Sequence, residues 1–477
     1  MMRVPSEKEH TLDWIVARSK AVVLAVLVAS MVISATAQVR GQDVMELTLS
    51  DALVRALEHN ESYLISEQEQ RRGEARVTEA RADALPKLSF FGNYSRNFEI
   101  PEQFVKIDWD ATDTVPPQIS RFKFGFEHTA IWGVSARQTI FEGGRVFAAL
   151  AAARLYAKYL TQAHRQARLD LQRDVSLAFY DAILAAQRVE VARQALQLAT
   201  QTRDVVQQRF DQGQSSEYDL LRAKVQVANI QPEVTQADNL RQLSLTNLRN
   251  LLGINAGVPL VLQLSYPDSA AWENEPLDTL LDRARARRPE PLQAELEVRM
   301  RQKAVSIAAA DHYPSLYLST DWAISANRER LGMNHWLRTP SWSATLSLSI
   351  PIFEGMRVSS GVAQAKVDLS QARLRESAIN KYVALDVEKA GHDFIEARER
   401  LASQLETVHQ AEEGYQIAQL RYQEGVGTQL EVTDALVALT TARLNQSQAL
   451  RDVLVARVQL RRAVGEPVLT GLESEKE

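Results

Sequence analysis

The residues able to move protons, hold metals or attack carbonyl groups are dispersed along this sequence. The eight histidines, His10, His59, His128, His164, His312, His335, His392 and His409, show no HExxH and no paired ligand spacing, and no GxxxxGK or GxGxxG loop occurs. Asp311–His312 could form a base in a cleft, but so close before Pro314 it reads more simply as a polar pair at a helix end. The absence of cysteine excludes disulfides, thiolate metal sites and a lipid-modified cysteine. Nothing here supports an enzyme, and the residues imply neither a cofactor nor a metal. One pair of acids is spaced with consequence. Glu431 and Asp434, at i and i+3, share one face near the start of a helix.

What must position that pair is a turn, and the turn is written twice. RFDQGQSSEYDLLRAKVQV begins at Arg209 and RYQEGVGTQLEVTDALVAL begins at Arg421. Gly213 and Gly425 suit the left-handed conformation that ends a helix. Ser216-x-x-Asp219 and Thr428-x-x-Glu431 fit capping boxes for the helices that follow. Asp219 is thus the counterpart of Glu431, whereas Arg222 stands opposite Asp434. An acid in a first helical turn contributes about 0.3 to 1 kcal/mol, so capping alone accounts for Asp219 and Glu431.

The repetition extends through the chain. Phe141-Glu142-Gly143-Gly144-Arg145 returns as Phe353-Glu354-Gly355-Met356-Arg357, and Gly253 returns as Gly465, all at the 212-residue spacing of the two turns. Leu85-Pro86-Lys87-Leu88 answers Tyr313-Pro314-Ser315-Leu316 at a spacing of 228, so the first copy holds an insertion between its strand regions. Each copy reads as a short helix from Ser50 or Asp278, a helix running to Pro86 or Pro314, two strands, a long helix, a turn, and a returning helix. The expected segments are a signal peptide at 1–37, a first repeat at 38–256, a linker at 257–276, a second repeat at 277–466 and a tail at 467–477. The linker, with Pro259, Pro267 and Pro276, is expected to be irregular.

Four strands are expected at about 86–98, 129–141, 315–326 and 341–353. Trp342, Ala344, Leu346, Leu348, Ile350 and Ile352 alternate with serine and threonine; Leu316, Leu318, Trp322 and Ile324 alternate with Tyr317, Ser319, Asp321 and Ser325. Leu88, Phe90 and Tyr94, and Trp132, Val134 and Ile140, form the apolar series of the first copy. Each segment is about the ~10 residues of a tilted membrane strand, with aromatics near its ends. The competing reading is a soluble four-stranded sheet packed on its own helices. In hydrocarbon, four strands with open edges cannot persist, so the membrane reading requires assembly: two chains give eight strands, three give twelve. Residues 99 to 128 would form the longer external loop.

Between Arg145 and Gln212 there is neither glycine nor proline. Leu177, Leu184, Val191, Leu198 and Val205 recur every seven residues, as do Phe394, Leu401, Val408, Tyr415 and Tyr422. A rod-like coiled coil is the plain alternative. At the N-terminus, Lys8, Arg18 and Lys20 precede AVVLAVLVASMVIS and Ala35-Thr36-Ala37, which reads as a secretory signal cleaved after Ala37. With 55 basic and 60 acidic residues mixed along the helices, the chain shows no basic stripe and no nucleic-acid partner is expected.

Arg-aromatic-x-x-Gly-x-x-Ser/Thr-x-x-acid, written twice, resembles the periplasmic turn of TolC-like outer-membrane efflux proteins. The duplication, the strand pairs ending in FEGGR and FEGMR, and the closing LLG and AVG extend that resemblance over essentially the whole mature chain. It implies an α/β membrane protein: a homotrimer whose 12-strand β-barrel, four strands per chain, sits in outer-membrane lipid and is continued by a long α-helical coiled-coil barrel in the periplasm. It further implies docking of a periplasmic adaptor (membrane fusion protein) and an inner-membrane transporter at the turns around Gly213, Ser216, Gly425 and Thr428. Tyr422, Pro86 and Pro314 would be structural, and Glu431 and Asp434, with Asp219 and Arg222, would form a periplasmic constriction in which Arg222 pairs with an acid. The expected role is a passive duct of a tripartite efflux or type I secretion system for small molecules; a protein-secretion duct and a periplasmic coiled-coil scaffold or adaptor are the alternatives. Phe210 for tyrosine, Glu431 for aspartate and Thr433 for leucine depart from the family pattern.

Overall fold

The computed structural model describes residues 45–107, 118–123, 125–264, 275–328 and 336–468. The expected signal peptide and all but the first two residues of the expected tail lie outside them. In chain order the elements are β1 (Met45–Leu47), α1 (Leu49–His59), α2 (Glu61–Ala82), β2 (Lys87–Arg96), β3 (Glu102–Ile107), β4 (Gln118–Lys123), β5 (His128–Glu142), α3 (Arg145–Asp211), α4 (Glu217–Leu251) and β6 (Leu260–Leu262). The second half continues with α5 (Leu277–Arg287), α6 (Pro289–Ala310), β7 (Ser315–Arg328), β8 (Leu337–Ser349), α7 (Arg357–Gln423) and α8 (Gln429–Val464). Corresponding helices have 11 and 11, 22 and 22, 67 and 67, and 35 and 36 residues. Such agreement makes the two halves copies of one unit. None of the described helices is long and apolar enough to cross a membrane.

Backbone conformation repeats as well. Gly143, Gly213 and Gly253 have positive φ, and so do Gly355, Gly425 and Gly465. Gly144, at φ 80°, is answered by Met356 at φ 67°, the one described non-glycine residue in that region, where an L side chain costs about 1–2 kcal/mol. Pro86 and Pro314 each stand immediately before a strand, consistent with the extended backbone that proline favours around it.

The four-stranded sheet has the order β2-β5-β7-β8, antiparallel throughout. Its register aligns Leu88 with Ala136, Phe90 with Val134, Val134 with Trp322, Trp132 with Ile324, Trp322 with Trp342, and Leu318 with Leu346. These residues form one apolar face, and Leu88, Phe90, Trp322, Trp342 and Leu346 on it are exposed. The other face carries Ser89, Ser135, Asp321 and Ser343 in one row and Lys87, Arg137, Ser319 and Thr345 in another. Both outer strands leave one backbone edge without a partner in the sheet.

Several boundaries differ from expectation. β8 spans 337–349 rather than 341–353, because its extent follows β7, from Asn327 opposite Leu337 to Ser315 opposite Ser349; Ile350 and Ile352 fall beyond it. Its Pro340 is accommodated on an edge strand, where an amide donor can be spared. A bulge between Thr139 and Phe141 takes Ile140 out of register and places Phe141, not Ile140, opposite Leu316. Within the expected external loop, β3 and β4 pair as an antiparallel hairpin. The expected irregular linker contains β6, which pairs in parallel with β1, from Met45 opposite Leu260 to Leu47 opposite Leu262.

The chain divides into two compact units, one of Met1–Ala56, Val175–Asp268 and Glu406–Arg451, the other of Leu57–Asp174, Ser269–Leu405 and Asp452–Glu477. In the first, Leu184 of the expected seam is buried, at 7% exposure, while Leu177, Val191, Leu198 and Val205 are only partly buried. The buried row lies one residue on, at Ala178, Ala185, Ala192, Ala199 and Val206, which are 4, 6, 9, 3 and 0% exposed. Small side chains let helix axes approach closely, so alanine rather than leucine takes the inner seam.

In the second unit an ion cluster ties four helices. Arg288 donates to Asp386 at 2.6 Å, to Glu290 at 2.9 Å and to the Ala463 carbonyl at 3.3 Å; Arg462 donates to Asp170 and to Glu290, both at 2.7 Å. The side chains of Arg288 and Arg462 are 4 and 9% exposed. Burial alone would raise the Glu290 pKa, but the Arg288 hydrogen bond and the Arg462 charge outweigh it and hold the carboxyl at about 2. Because the folded value lies below the unfolded one, this stabilisation is complete above about pH 4.5 and is lost as pH falls toward 2. Glu290→Gln is expected to cost about 3 kcal/mol in denaturant unfolding at pH 7, with the gap from the native protein closing in titrations below pH 4.

Candidate functional site

The two turns lie in the first unit, at the ends of α3 and α7. α3 ends where Gly213 takes φ 74°; its amide donates to the Phe210 carbonyl and that of Gln214 to the Arg209 carbonyl, both at 2.8 Å. α7 ends in the same way at Gly425, φ 75°, with the Gly425 amide on Tyr422 at 3.1 Å and the Val426 amide on Arg421 at 3.0 Å. A Cβ at either glycine would meet nothing within 4 Å, so the backbone angle alone calls for glycine there. Gly427 differs: its Cβ would lie 2.9 Å from Arg421 Cβ.

Capping follows expectation and absorbs one of the acids. The Asp219 amide donates to Ser216 Oγ at 3.1 Å, while the Asp219 carboxylate accepts from the Ser216 amide at 3.3 Å and the Ser216 hydroxyl at 2.7 Å. In the second turn the Glu431 amide donates to Thr428 Oγ1 at 3.3 Å and the hydroxyl returns to Glu431 Oε1 at 3.3 Å. Glu431 Oε2 also lies 3.5 Å from Arg421 Nε. Asp434 is exposed, and among the described residues it has no ion pair. The expected pairing of Arg222 with an acid of the turns is not seen among the described residues; Arg421 takes Glu431 instead, because it lies on the same turn and needs no reach between hairpins.

Arg209, not singled out beforehand, and Tyr422, expected to be structural, organise this region. Arg209 places its guanidinium 4.6 Å from the centre of the Tyr422 ring and donates to the Gln423 carbonyl, joining the end of α3 to the end of α7. Tyr422 is 8% exposed and packs with Val206, Leu220, Tyr415, Val432 and Leu436. Thr433, where the family pattern favours leucine, is buried and donates to the Gln429 carbonyl at 3.1 Å while accepting from Gln429 Nε2 at 3.0 Å. The sequence signal for Arg209 and Arg421 was their recurrence at one spacing. What each binds depends on the neighbouring helix and was not readable.

Further up, Arg443 bridges Gln194 at 2.9 Å and Glu412 at 2.8 Å, Arg188 reaches Gln448 at 2.8 Å, and Arg451 reaches Asp181 at 2.7 Å. Cations on one helix therefore meet amides and acids on another along the first unit. No grouping of three metal-ligating side chains occurs among the described residues. Beside these cross-helix contacts the second turn presents an exposed pair of carboxylates, Glu431 and Asp434.

Arg209 is expected to matter more than Arg421. A cation–π contact on a buried ring together with a carbonyl hydrogen bond is worth about 1–2 kcal/mol, whereas the exposed Arg421–Glu431 pair is worth at most about 1. Arg209→Gln should increase amide exchange at 423–427 by about tenfold, and Arg421→Gln by less than about threefold, read by hydrogen-exchange mass spectrometry.

A family model described as outer membrane efflux protein matches residues 52–254 and 280–466. Protein CyaE of Bordetella pertussis is 25% identical over 272 residues, covering 55% of this chain and 57% of that protein. Outer membrane protein TolC of Vibrio cholerae is 23% identical over 292 residues, covering 61% and 66%. The chain thus aligns with somewhat under two thirds of the length of these relatives. The solved structure of the outer membrane protein VceC from Vibrio cholerae superposes with a TM-score of 0.71 at 18% identity, covering 88% of this chain and 96% of that one, a likeness of fold.

Proposed function

The chain belongs to the outer membrane efflux protein family, and from that premise we propose that it is the outer-membrane channel of a tripartite export system: a passive duct for small molecules, closed by three copies of this chain. The observation that carries the proposal is the sheet. One face is apolar and exposed, the other polar, and both edges are open. Water would disfavour the first face, and lipid would disfavour the edges. Three copies would close the edges into twelve strands around a polar lumen, wide enough for water. Every strand leads to or from a helix of the duplicated unit or a loop of its own hairpin. A periplasmic adaptor and an inner-membrane transporter would supply direction and energy.

The duplication supports a specific joint between copies. Within the chain Arg209 sits over Tyr422; exchanging the repeats gives Arg421 over Phe210. Arg443–Gln194 becomes the pair Gln231 and Glu406, which can also hydrogen-bond. Leu221 and Ile417 are 60 and 59% exposed, while their counterparts Thr433 and Val205 are buried and partly buried. A second copy whose α3 and α4 cover α7 would bury both. Because the protein has no cysteine, the joint is testable directly: Phe210→Cys with Arg421→Cys, treated with a short bis-maleimide, should yield covalent trimers, and Arg209→Cys with Tyr422→Cys only monomers. Monomers from both pairs would refute this arrangement.

At the narrow end, Glu431 and Asp434 of three chains would place six carboxylates around one constriction. Replacing both with alanine should remove most of the cation preference of the pore in planar bilayers and alter its conductance. Unchanged conductance and selectivity would show that the acids serve only as caps.

A further inference from the structure

Along the described strands, the apolar face of the four-stranded sheet carries four basic side chains and no Asp or Glu. All four lie at the end remote from the helices. The register aligns Arg96 of β2 with His128 of β5, and His128 with Arg328 of β7. In the next row on the same face, Tyr94 pairs with Ala130, Ala130 with Ala326, and Ala326 with Arg338 of β8. The rows at the opposite end of that face hold Leu88, Ala136, Gln138, Phe141, Leu316 and Leu348 and no cation. General snorkelling would place cations at both rims. Here they are confined to one.

The row is built as well as charged. His128 is 1% exposed; its Nδ1 is bonded to the Tyr94 hydroxyl at 2.7 Å, and its Nε2 is buried without a hydrogen-bond partner. Nε of Arg328 is also buried and unpartnered, and the guanidinium stacks on Trp336 at 5.5 Å from the ring centre. Arg96 lies 4.9 Å from the centre of the Phe98 ring and reaches one acid, Glu127, at 3.1 Å. Glu127 Oε1 is in turn 3.5 Å from His128 Nε2. Two polar atoms of one row, His128 Nε2 and Arg328 Nε, thus lack a hydrogen-bond partner, and among the described residues the row's three basic side chains have the single acid Glu127, which leaves this rim short of acceptors.

We propose that Arg96, His128 and Arg328, with Arg338 beside them, bind the phosphate groups of a phosphorylated glycolipid in the outer leaflet. The proposal rests on the barrel reading of the sheet. Guanidinium forks suit phosphate oxygens in two-point contact. The row continues directly into the apolar column of Trp132, Trp322, Ile324 and Trp342, so a molecule held by its phosphate there would lay its acyl chains along that column. A free anion would gain nothing from it. In the closed barrel, β8 of one chain would adjoin β2 of the next and bring Arg338 near Arg96 of the partner subunit, making the row a continuous belt.

The experiment uses the intact trimer in nanodiscs containing brominated phosphatidylcholine, with diphosphoryl lipid A, monophosphoryl lipid A or inorganic phosphate added in turn and bound lipid counted by native mass spectrometry. The native protein should retain diphosphoryl lipid A best, and Arg96→Gln with Arg328→Gln should lower its occupancy by about tenfold or more. Lys87→Gln with Arg137→Gln, on the opposite face, should leave it unchanged, and Arg96→Lys with Arg328→Lys should keep part of it, which guards against a glutamine variant that fails to assemble. Equal occupancy in native and glutamine variants, or equal loss in the Lys87/Arg137 control, would overturn the assignment. Displacement of the lipid by millimolar inorganic phosphate would make this a free-anion site and overturn its lipid specificity. Bromine quenching of Trp322 and Trp342 in the same discs separates the two levels: without quenching the barrel reading itself fails, and with quenching but no lipid preference only this site does.

Discussion

An amide or carbonyl left unpaired in hydrocarbon costs several kcal/mol, and the arrangement of this protein follows from that single constraint. The chain supplies four strands, too few to close, with an apolar face and two open edges. No choice of side chains removes an edge; only another strand does. In the proposed assembly, backbone hydrogen bonding would set the closure, and helices that continue the strands would inherit its symmetry. The long helices of the two copies have 67 residues each, as duplication of one unit requires.

Duplication eases that geometry and also reveals where it has been altered. Helix lengths, positive-φ glycines and turns coincide, so differences stand out as local events. Met356 keeps a conformation that its counterpart Gly144 adopts freely, which shows how strongly the strand-to-helix corner is imposed by its surroundings. The insertion in the first copy folds into its own hairpin, β3 with β4, outside the register of the main sheet. The Arg288–Glu290–Arg462 cluster has a different purpose: three charged groups near-buried among four helices fix the register between the copies, where apolar packing alone would permit sliding.

How much of this was legible depended on range. Period-two alternation over ten residues located the four strands, and the repeat located the turns, because both are properties of contiguous sequence. The alanine seam at Ala178, Ala185, Ala192 and Ala199 was missed because a heptad of leucines one residue away is the louder hydrophobic signal. Apart from Leu184, those larger side chains are only partly buried within one chain. β1 and β6 were missed because each is three residues long and they meet across more than two hundred residues of sequence. The bulge at Ile140 and the pairing of Arg421 with Glu431 depend on partners whose placement only the fold supplies.

The two turns also assign unequal strength to the joints of the proposed tip. Within a chain, Arg209 is committed: a tyrosine ring beneath it, a carbonyl accepting from it, and no acid of its own turn competing for it. Between chains, the equivalent Arg421 would meet Phe210, which lacks a hydroxyl, while Glu431 of its own chain already holds its guanidinium at 3.5 Å. Three strong joints would then alternate with three weak ones. A ring so built does not dilate evenly. It would part at the weak joints, each hairpin pair moving as one body, and the carboxylates of Glu431 and Asp434 from three chains would add the like-charge repulsion that favours parting. Opening would be threefold in a structure whose helices are nearly sixfold, and the cause lies in one tyrosine replaced by phenylalanine and one arginine shared between two partners.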